Sequence, residues 1–226
     1  MQHASEITSN QIEVHEDLSK YVRRHQSITS KKPLSEHTQR AFELVISWLG
    51  DWKQDVIVDA CCGVGESTVV LARRYPEAKV IGIDKSAARL DKHAHYQSRY
   101  VAEPLQNALV VRADLYDFWR LLENKLSQGT DWQVVKQFLF YPNPYPKKSQ
   151  LSKRWHASAA FPSMLGVSKN IELRSNWSIY VREFALAAAE YGVTMCIEQH
   201  KGQAITPFER KYLSSQQTCW RAYTVV

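Results

Sequence analysis

The sequence is poor in cysteine, glycine and proline, and it has no long apolar run. Its 226 residues include four cysteines, eight glycines and eight prolines. Adjacent Cys61 and Cys62 lie far from Cys196 and Cys219, a spacing that matches neither a zinc site nor a disulfide framework. No apolar stretch approaches the roughly 18–20 residues of a membrane span, and the first 30 residues lack the apolar centre of a signal peptide. We therefore expect a cytoplasmic protein with no membrane contact and no metal, whose core needs no cross-links.

The positive charge is concentrated in two segments. The net charge is +6, and residues 18–41 hold six Lys or Arg against one acid, Glu36. Residues 141–160 hold four basic residues and no acid: Lys147, Lys148, Lys153 and Arg154. Such segments favour a polyanionic partner, whose phosphates attract them and release counterions on contact. The alternative is that both are simply solvated surface.

The chain divides into a basic, loosely ordered segment, 1–34, and one domain, 35–226. A helix is predicted from the N-cap Ser35 to Gly50. Predicted strands 56–59, 79–83, 108–112 and 138–141 then alternate with helices 67–75, 86–100 and 115–126, and strands 170–174, 193–198 and 219–225 follow with helix 178–189. This alternation predicts an α/β fold with a mostly parallel central sheet and helices on both faces. Ligands of such sheets bind at the carboxyl ends of the strands.

The first strand leads into a glycine-containing loop. Gly63 and Gly65 permit a tight turn and a close approach of a ligand to the backbone. Glu66 occupies the place of the third glycine of a dinucleotide fingerprint, and no Lys-Ser/Thr pair of a P-loop follows. The acid at the end of the strand, Asp59, instead suits a cationic ligand such as an ammonium or sulfonium group.

Two further acids follow the next two strands. Asp84 can accept from both ribose hydroxyls, and Asp114 can accept from an adenine amino group, although either acid alone could be a helix N-cap. Three acids in register resemble the class I S-adenosylmethionine-dependent methyltransferases, which have a Rossmann-like fold. The resemblance implies S-adenosyl-L-methionine as cofactor, with Gly63, Gly65 and Asp59 near its methionine moiety, Asp84 on the ribose and Asp114 on the adenine.

The fourth strand is followed by a proline-rich loop, Tyr141-Pro142-Asn143-Pro144-Tyr145-Pro146-Lys147-Lys148. Alternate prolines impose an extended, rigid path. At the end of a strand, the amide of Asn143 can pair with a base edge and the ring of Tyr145 can stack on a base. The alternative is a purely structural turn.

This loop is similar to the Pro-Asp-Pro-Trp-Pro-Lys motif of the bacterial tRNA (guanine-N7-)-methyltransferase family. Three collinear blocks agree with that family: Tyr21–Arg24 resembles its basic segment, Ser175–Tyr180 its Thr-Asp-Trp-x-x-Tyr segment, and Thr206–Arg210 its Thr-x-Phe-Glu-x motif. The resemblance implies methylation of guanine N7 in tRNA. It also implies a substrate site formed by Asn143, Lys147, Asn176, Thr206, Phe208 and Glu209, with Asn143 as the catalytic residue.

The departures from the family pattern fall at this site. Asn143 and Asn176 replace aspartates, and Tyr145 replaces a tryptophan. A carboxylate can accept from guanine N1–H and N2–H together, whereas the NH₂ of an asparagine would face a donor, at a cost of about 1–3 kcal/mol per contact. Three hypotheses remain: an active tRNA guanine-N7 methyltransferase, a methyltransferase of another base, RNA or small molecule, and a non-catalytic cofactor- or RNA-binding protein. The sequence leaves monomer and homodimer open.

Overall fold

The computed structural model describes residues 4–27 and 32–225. The helices in these residues are α1 (Leu18–Gln26), α2 (Glu36–Leu49), α3 (Glu66–Arg74), α4 (Ala87–Leu90), α5 (His93–Gln97), α6 (Leu115–Ser127), α7 (Phe161–Val167), α8 (Ser178–Ala189) and α9 (Pro207–Ser214). The strands are β1 (Asp55–Ala60), β2 (Lys79–Asp84), β3 (Ala108–Arg112), β4 (Gln133–Phe140), β5 (Ile171–Ser175), β6 (Met195–Gln199) and β7 (Trp220–Thr224). No helix within these ranges is long and apolar enough to cross a membrane.

The chain forms two compact units. The first, called the parallel unit, comprises Lys32–Leu139 and Ser163–Ser168. The second, called the antiparallel unit, comprises the described parts of Met1–Lys31, Phe140–Pro162 and Lys169–Val226.

In the parallel unit the strands follow the order β3-β2-β1-β4, and every neighbouring pair is parallel. Val58 aligns with Ile81 across the β1–β2 pair. The apolar residues of both strands are almost completely buried, as expected for strands covered on both faces: Val56, Ile57, Val58 and Ala60 of β1, and Val80, Ile81 and Ile83 of β2. Because parallel strands end at the same edge, the residues at the ends of β1, β2 and β3 come together there.

Two polar networks fix the helices of this unit. Ser35 precedes α2 as predicted, but its hydroxyl bonds to Thr38 Oγ1 (2.8 Å) and Asp117 Oδ2 (2.7 Å) rather than to a backbone N–H. On α6, Trp119 Nε1 donates to Gln137 Oε1 of β4 (2.9 Å). The Gln137 amide in turn donates to the carbonyl of Met164 (2.7 Å). The buried Trp119 indole and Gln137 amide are thus paired inside the core.

In the antiparallel unit β7 lies between β5 and β6 and is antiparallel to both. Ala222 of β7 aligns with Leu173 on one side and Ile197 on the other. Phe161 and Phe184 pack edge to face, with their ring centroids 5.4 Å apart. The predicted Rossmann-like α/β fold is confirmed, and β7 supplies its antiparallel pairing.

Several predicted elements differ from the structure. The predicted helix 86–100 is wrong: two short helices, α4 and α5, replace it, and neither buries a residue. Strand β4 starts five residues before its predicted position, at Gln133, because the polar Lys136 and Gln137 interrupt its apolar pattern. Helices α1, α7 and α9 were not predicted. Residues 18–26 of the basic N-terminal segment form α1 with Leu18 and Val22 buried, whereas the domain boundary at residue 34 stays a prediction.

Candidate cofactor and substrate sites

The glycine loop after β1 turns through three left-handed residues. Cys61, Gly63 and Gly65 have φ of 60°, 62° and 73°. A Cβ added to Gly63 would meet nothing within 4 Å, whereas one added to Gly65 would lie 2.4 Å from His93 Nδ1. Gly63 therefore leaves open space beside the loop, and Gly65 is required for the packing of the His93 ring.

Asp84, at the end of β2, holds this loop. Its Oδ2 accepts from the Gly63 N–H (3.0 Å) and its Oδ1 from the Ser86 N–H (2.8 Å). The guanidinium of Arg89 lies 3.5 Å from Oδ2. The predicted ribose acceptor thus lies beside Gly63.

Asp59 is fully buried beneath the start of α3. Its Oδ2 accepts from the hydroxyls of Ser67 (2.6 Å) and Thr68 (2.7 Å), whereas its Oδ1 has no hydrogen-bond partner among the described residues. Burial raises the pKa of Asp59 to about 6, and the two hydroxyls, which lower it, offset this effect only in part. A buried carboxylate with one unpaired oxygen suits a cationic ligand.

Asp114 forms the helix cap that was the alternative interpretation of the strand-end acids. Its Oδ1 accepts from the Tyr116 N–H (2.9 Å) at the start of α6, and its own N–H donates to Thr38 Oγ1 (3.0 Å). A contact of its carboxylate with adenine stays a prediction.

Glu66 is the first residue of α3, at the helix end that would attract a phosphate. It is fully buried; its Oε1 accepts from the Tyr100 hydroxyl (2.6 Å), and Arg99 Nη1 lies 3.6 Å away. Helix N-termini attract anions, but here the chain supplies its own carboxylate. This arrangement disfavours a pyrophosphate at the loop.

These residues fit S-adenosylmethionine, the cofactor implied by the sequence. The space beside Gly63 admits a ligand against the backbone, whereas Asp59 is fully buried and its place near the methionine moiety stays a prediction. Asp84 bonds to the Gly63 N–H, and its contact with the ribose stays a prediction. Among the described side chains no group of three or more His, Cys, Asp or Glu could hold a metal ion.

Replacing Gly63 by alanine is expected to weaken S-adenosylmethionine binding at least about 10-fold, because the new methyl group occupies the space left for the ligand. Gly129→Ala is the matched control: this glycine also has positive φ (88°) and open space around a Cβ. Both variants should lose about 1–2 kcal/mol of stability from the left-handed backbone. Calorimetric titration and thermal unfolding measure the two effects. Equal cofactor affinity in both variants would contradict a ligand at Gly63.

In the antiparallel unit, the proline–lysine loop (residues 141–148) has an unusual backbone. Tyr141 and Tyr145 are left-handed, with φ of 52° and 45°, which costs on the order of 1–3 kcal/mol for each residue. Asn143 is exposed, and its Oδ1 accepts from the Tyr145 N–H (3.2 Å). Lys147 is exposed as well. The loop thus presents Asn143 and Lys147 to solvent in a strained conformation.

Asn176 lies between β5 and α8. Its Nδ2 donates to Gln217 Oε1 (2.9 Å), and Gln217 Nε2 donates to the carbonyl of Ala4 (2.9 Å). The orientation of the Asn176 amide is therefore set by a residue beyond α9.

The Thr206–Arg210 block forms the start of α9. Thr206 is its N-cap, whose Oγ1 accepts from the Glu209 N–H (3.0 Å). Phe208 is 45% exposed and stacks on Tyr212. Glu209 is fully buried. Within this block, Phe208 has the exposed side chain that a substrate can reach, and the roles of Thr206 and Glu209 in substrate binding stay predictions.

Glu209 joins several elements of the antiparallel unit. Its Oε1 accepts from the Tyr141 hydroxyl (2.9 Å) and from Arg174 Nη1 (3.0 Å), and its Oε2 accepts from the Ile205 N–H (2.8 Å). His200 Nε2 lies 3.2 Å from Oε1. Burial raises the pKa of Glu209, but hydrogen bonds and charge from His200, Arg174 and Ile205 outweigh it and hold the pKa at about 2. Sequence reasoning missed Arg174 and His200 because no local motif marks them, and it assigned no role to Tyr141 at the start of the proline–lysine loop.

The basic residues of the loop region have different environments. Lys153 is exposed, and Lys148 pairs with Glu16 at 3.0 Å. Arg154 is fully buried. The interpretation of Arg154 as a phosphate-binding residue is therefore wrong, because a fully buried guanidinium cannot contact RNA.

Acid is expected to destabilise the protein by protonating two buried glutamates, Glu209 of α9 and Glu183 of α8. Burial raises the pKa of Glu183, but His156 and Arg154 lower it, to about 2. Because the folded pKa of each glutamate lies below the ordinary value of 4.5, each contributes stability above pH 4.5 that is lost as the pH falls towards 2. The loss amounts to at most about 3 kcal/mol for each group. Asp59 acts in the opposite sense, because its raised pKa makes its contribution fall as the pH rises from 3.8 to about 6.

Urea unfolding between pH 7 and pH 2.5 measures this dependence. Glu183→Gln and Glu209→Gln should each flatten the acid limb of the stability curve, since the substituted group no longer titrates. An acid limb as steep in both variants as in the unsubstituted protein would refute the assignment.

Comparison with known proteins identifies the family. The family described as "Putative methyltransferase" matches residues 53–222. The chain belongs to this methyltransferase family. It is 28% identical over 168 residues to the tRNA (guanine-N(7)-)-methyltransferase of Thermotoga maritima, a match that covers 72% of this chain and 51% of that protein. It is 30% identical over 106 residues to the enzyme of the same name from Porphyromonas gingivalis, covering 44% and 39%.

These matches span about half the length of the curated relatives or less. Among solved structures, an antibiotic-related methyltransferase superposes with a TM-score of 0.60 at 13% identity, covering 87% of this chain and 96% of that one. This likeness shows the class I methyltransferase fold. The resemblance to bacterial tRNA (guanine-N7-)-methyltransferases is confirmed, and the placing of Asn143 and Asn176 at aspartate positions of that family stays a prediction.

Proposed function

We propose that the protein is an S-adenosylmethionine-dependent methyltransferase that methylates guanine N7 in tRNA. The observation that carries the proposal is the match to a tRNA (guanine-N(7)-)-methyltransferase over 72% of the chain. The loop at Gly63, with Asp59 and Asp84 beside it, supports the cofactor. A tRNA substrate would place the protein in the cytoplasm.

The reaction requires little proton chemistry from the protein. S-adenosylmethionine supplies, when bound, a methyl group on a positively charged sulfur. Guanine N7 has an in-plane lone pair and no proton, so no side chain has to act as a general base. The protein instead orients the base and excludes water, and such positioning lowers a barrier by up to about 7–11 kcal/mol.

The proposed roles follow from exposure and charge. Asn143, exposed on its strained loop, orients the acceptor base. Lys147 and Lys153, both exposed, hold RNA phosphates, and Phe208 offers an exposed ring to a base. The Asn176 amide contributes a second polar contact near the base.

The test is methyl transfer from labelled S-adenosylmethionine to tRNA that lacks N7-methylguanosine, followed by mass spectrometry of the nucleosides. The same tRNA already methylated at N7 is the control acceptor. Labelled N7-methylguanosine from the unmethylated tRNA alone supports the proposal. A different methylated nucleoside would identify a methyltransferase of another base, and absence of product in a protein that binds the cofactor would indicate a non-catalytic role.

A further inference from the structure

Arg154 is a fully buried cation that donates through all three guanidinium nitrogens. Nε donates to the carbonyl of Tyr145 (3.1 Å). Nη2 donates to the carbonyl of Lys147 (3.3 Å) and to Gln11 Oε1 (2.9 Å). Nη1 donates to Glu183 Oε2 (2.5 Å). A planar group with five donors can satisfy such a set, and a lysine cannot.

Three partners of Arg154, namely Tyr145, Lys147 and Trp177, belong to the segments that carry the predicted substrate residues. The two carbonyls lie in the proline–lysine loop, on either side of Pro146, and one of them belongs to the left-handed Tyr145. The guanidinium also stacks over the ring of Trp177, 4.8 Å from its centroid. Trp177 directly follows Asn176. One side chain therefore contacts both the loop that carries Asn143 and the segment that carries Asn176.

The N-terminal strap, defined as residues 4–17, contacts the proline–lysine loop directly and Asn176 through Gln217. Ser9 Oγ donates to the carbonyl of Pro146 (2.6 Å), and the Lys148 N–H donates to Asn10 Oδ1 (3.1 Å). At the start of the strap, the carbonyl of Ala4 accepts from Gln217. Gln217 is the residue that accepts from the Asn176 amide. The strap thus reinforces the placement that Arg154 imposes.

The buried charges of the network are balanced. Glu183 is fully buried and balances the charge of Arg154. Its Oε1 also accepts from Gln11 Nε2 (2.6 Å) and from the His15 N–H (2.9 Å), and burial lowers the pKa of the adjacent His156. A buried ion pair is by itself weak evidence for added stability.

We propose that Arg154 is a positioning residue for the acceptor base. It fixes the loop carbonyls of Tyr145 and Lys147 against Trp177 and Gln11, and thereby sets Asn143 relative to Asn176, without touching RNA. This inference rests on the proposed function. It gives Arg154 a role distinct from phosphate binding.

The test compares Arg154→Lys and Gln11→Leu with the unsubstituted protein and with Arg182→Lys, an exposed arginine of the same unit that pairs with Glu13. The expected result is a fall in kcat on tRNA of about 10- to 100-fold in both network variants, the effect of misplacing a reacting base. Affinity for S-adenosylmethionine should be retained, because its proposed ligands lie in the parallel unit. Affinity for tRNA should change less than the rate, and Arg182→Lys should match the unsubstituted protein.

Hydrogen exchange supplies a readout independent of activity: amides of residues 141–150 should exchange faster in Arg154→Lys. If Arg154 bound phosphate instead, Arg154→Lys would lower the affinity for tRNA and its salt dependence, and kcat at saturating tRNA would stay constant. Lys153→Gln, at the exposed neighbouring residue, is expected to show that pattern. The same pattern in Arg154→Lys, or unchanged kcat in folded variants, would overturn the inference. Absence of product from the unsubstituted protein would instead overturn the proposed function, and this inference with it. Should Arg154→Lys not fold, Gln11→Leu, which leaves the ion pair intact, decides the outcome.

Discussion

Asp84→Asn is expected to weaken binding of S-adenosylmethionine at least about 100-fold. The Asp84 carboxylate accepts from the Gly63 and Ser86 N–H groups and is proposed to accept from the ribose hydroxyls. An asparagine retains a single acceptor oxygen and turns an NH₂ group towards one of these donors. Hydrogen bonds to a charged group are worth about 1.5–3 kcal/mol each, so the loss of both proposed ribose hydrogen bonds corresponds to a factor of at least about 100 in cofactor affinity.

Calorimetric titration with S-adenosylmethionine measures this loss, and thermal unfolding shows whether the variant still folds. Asp91→Asn removes the same charge from an exposed position in the same unit and should leave the affinity unchanged. A folded Asp84→Asn protein with undiminished affinity would show that Asp84 serves only to hold the glycine loop.

The proposed cofactor site rests on sequence signals that are local. Asp59, Asp84 and Asp114 each follow an apolar run, and the parallel pairing of β1, β2 and β3 brings the ends of these strands to one edge. Gly63 and Gly65 permit the left-handed conformation that the loop adopts. The sequence did not reveal His93, whose ring packs on Gly65, because α5 lacks an apolar stripe.

The buried charges of the antiparallel unit could not be predicted in this way. Whether a charged side chain is exposed depends on partners that lie far along the chain. Arg154 pairs with Glu183, 29 residues away, and with Gln11, 143 residues away, while Glu209 pairs with Arg174, 35 residues away. A basic stretch therefore predicts a phosphate contact correctly only for those of its residues that remain exposed.

Asn143→Asp is expected to increase methylation of guanine N7 in tRNA by about 10- to 100-fold. The side chain is exposed, and one oxygen already accepts from the Tyr145 N–H, a bond that a carboxylate retains. The second carboxylate oxygen replaces an NH₂ group and can accept from a guanine N–H, a contact worth about 1–3 kcal/mol. Initial rates at saturating S-adenosylmethionine measure the gain, with Asn124→Asp, on the exposed surface of the parallel unit, as the control for added charge.

Asn176→Asp is expected to raise the methylation rate less than Asn143→Asp does, and to lower the stability of the protein. The Asn176 NH₂ donates to Gln217 Oε1, whereas a carboxylate there would face that oxygen. Gln217 can present its NH₂ group instead only by giving up its bond to the carbonyl of Ala4. The double variant is therefore expected to exceed Asn143→Asp in rate by less than a factor of 10, about 1.4 kcal/mol, and to unfold at a lower temperature. A folded double variant that methylates guanine no faster than the unsubstituted protein would show that the two asparagines are not weakened forms of an aspartate site, and would favour a different acceptor.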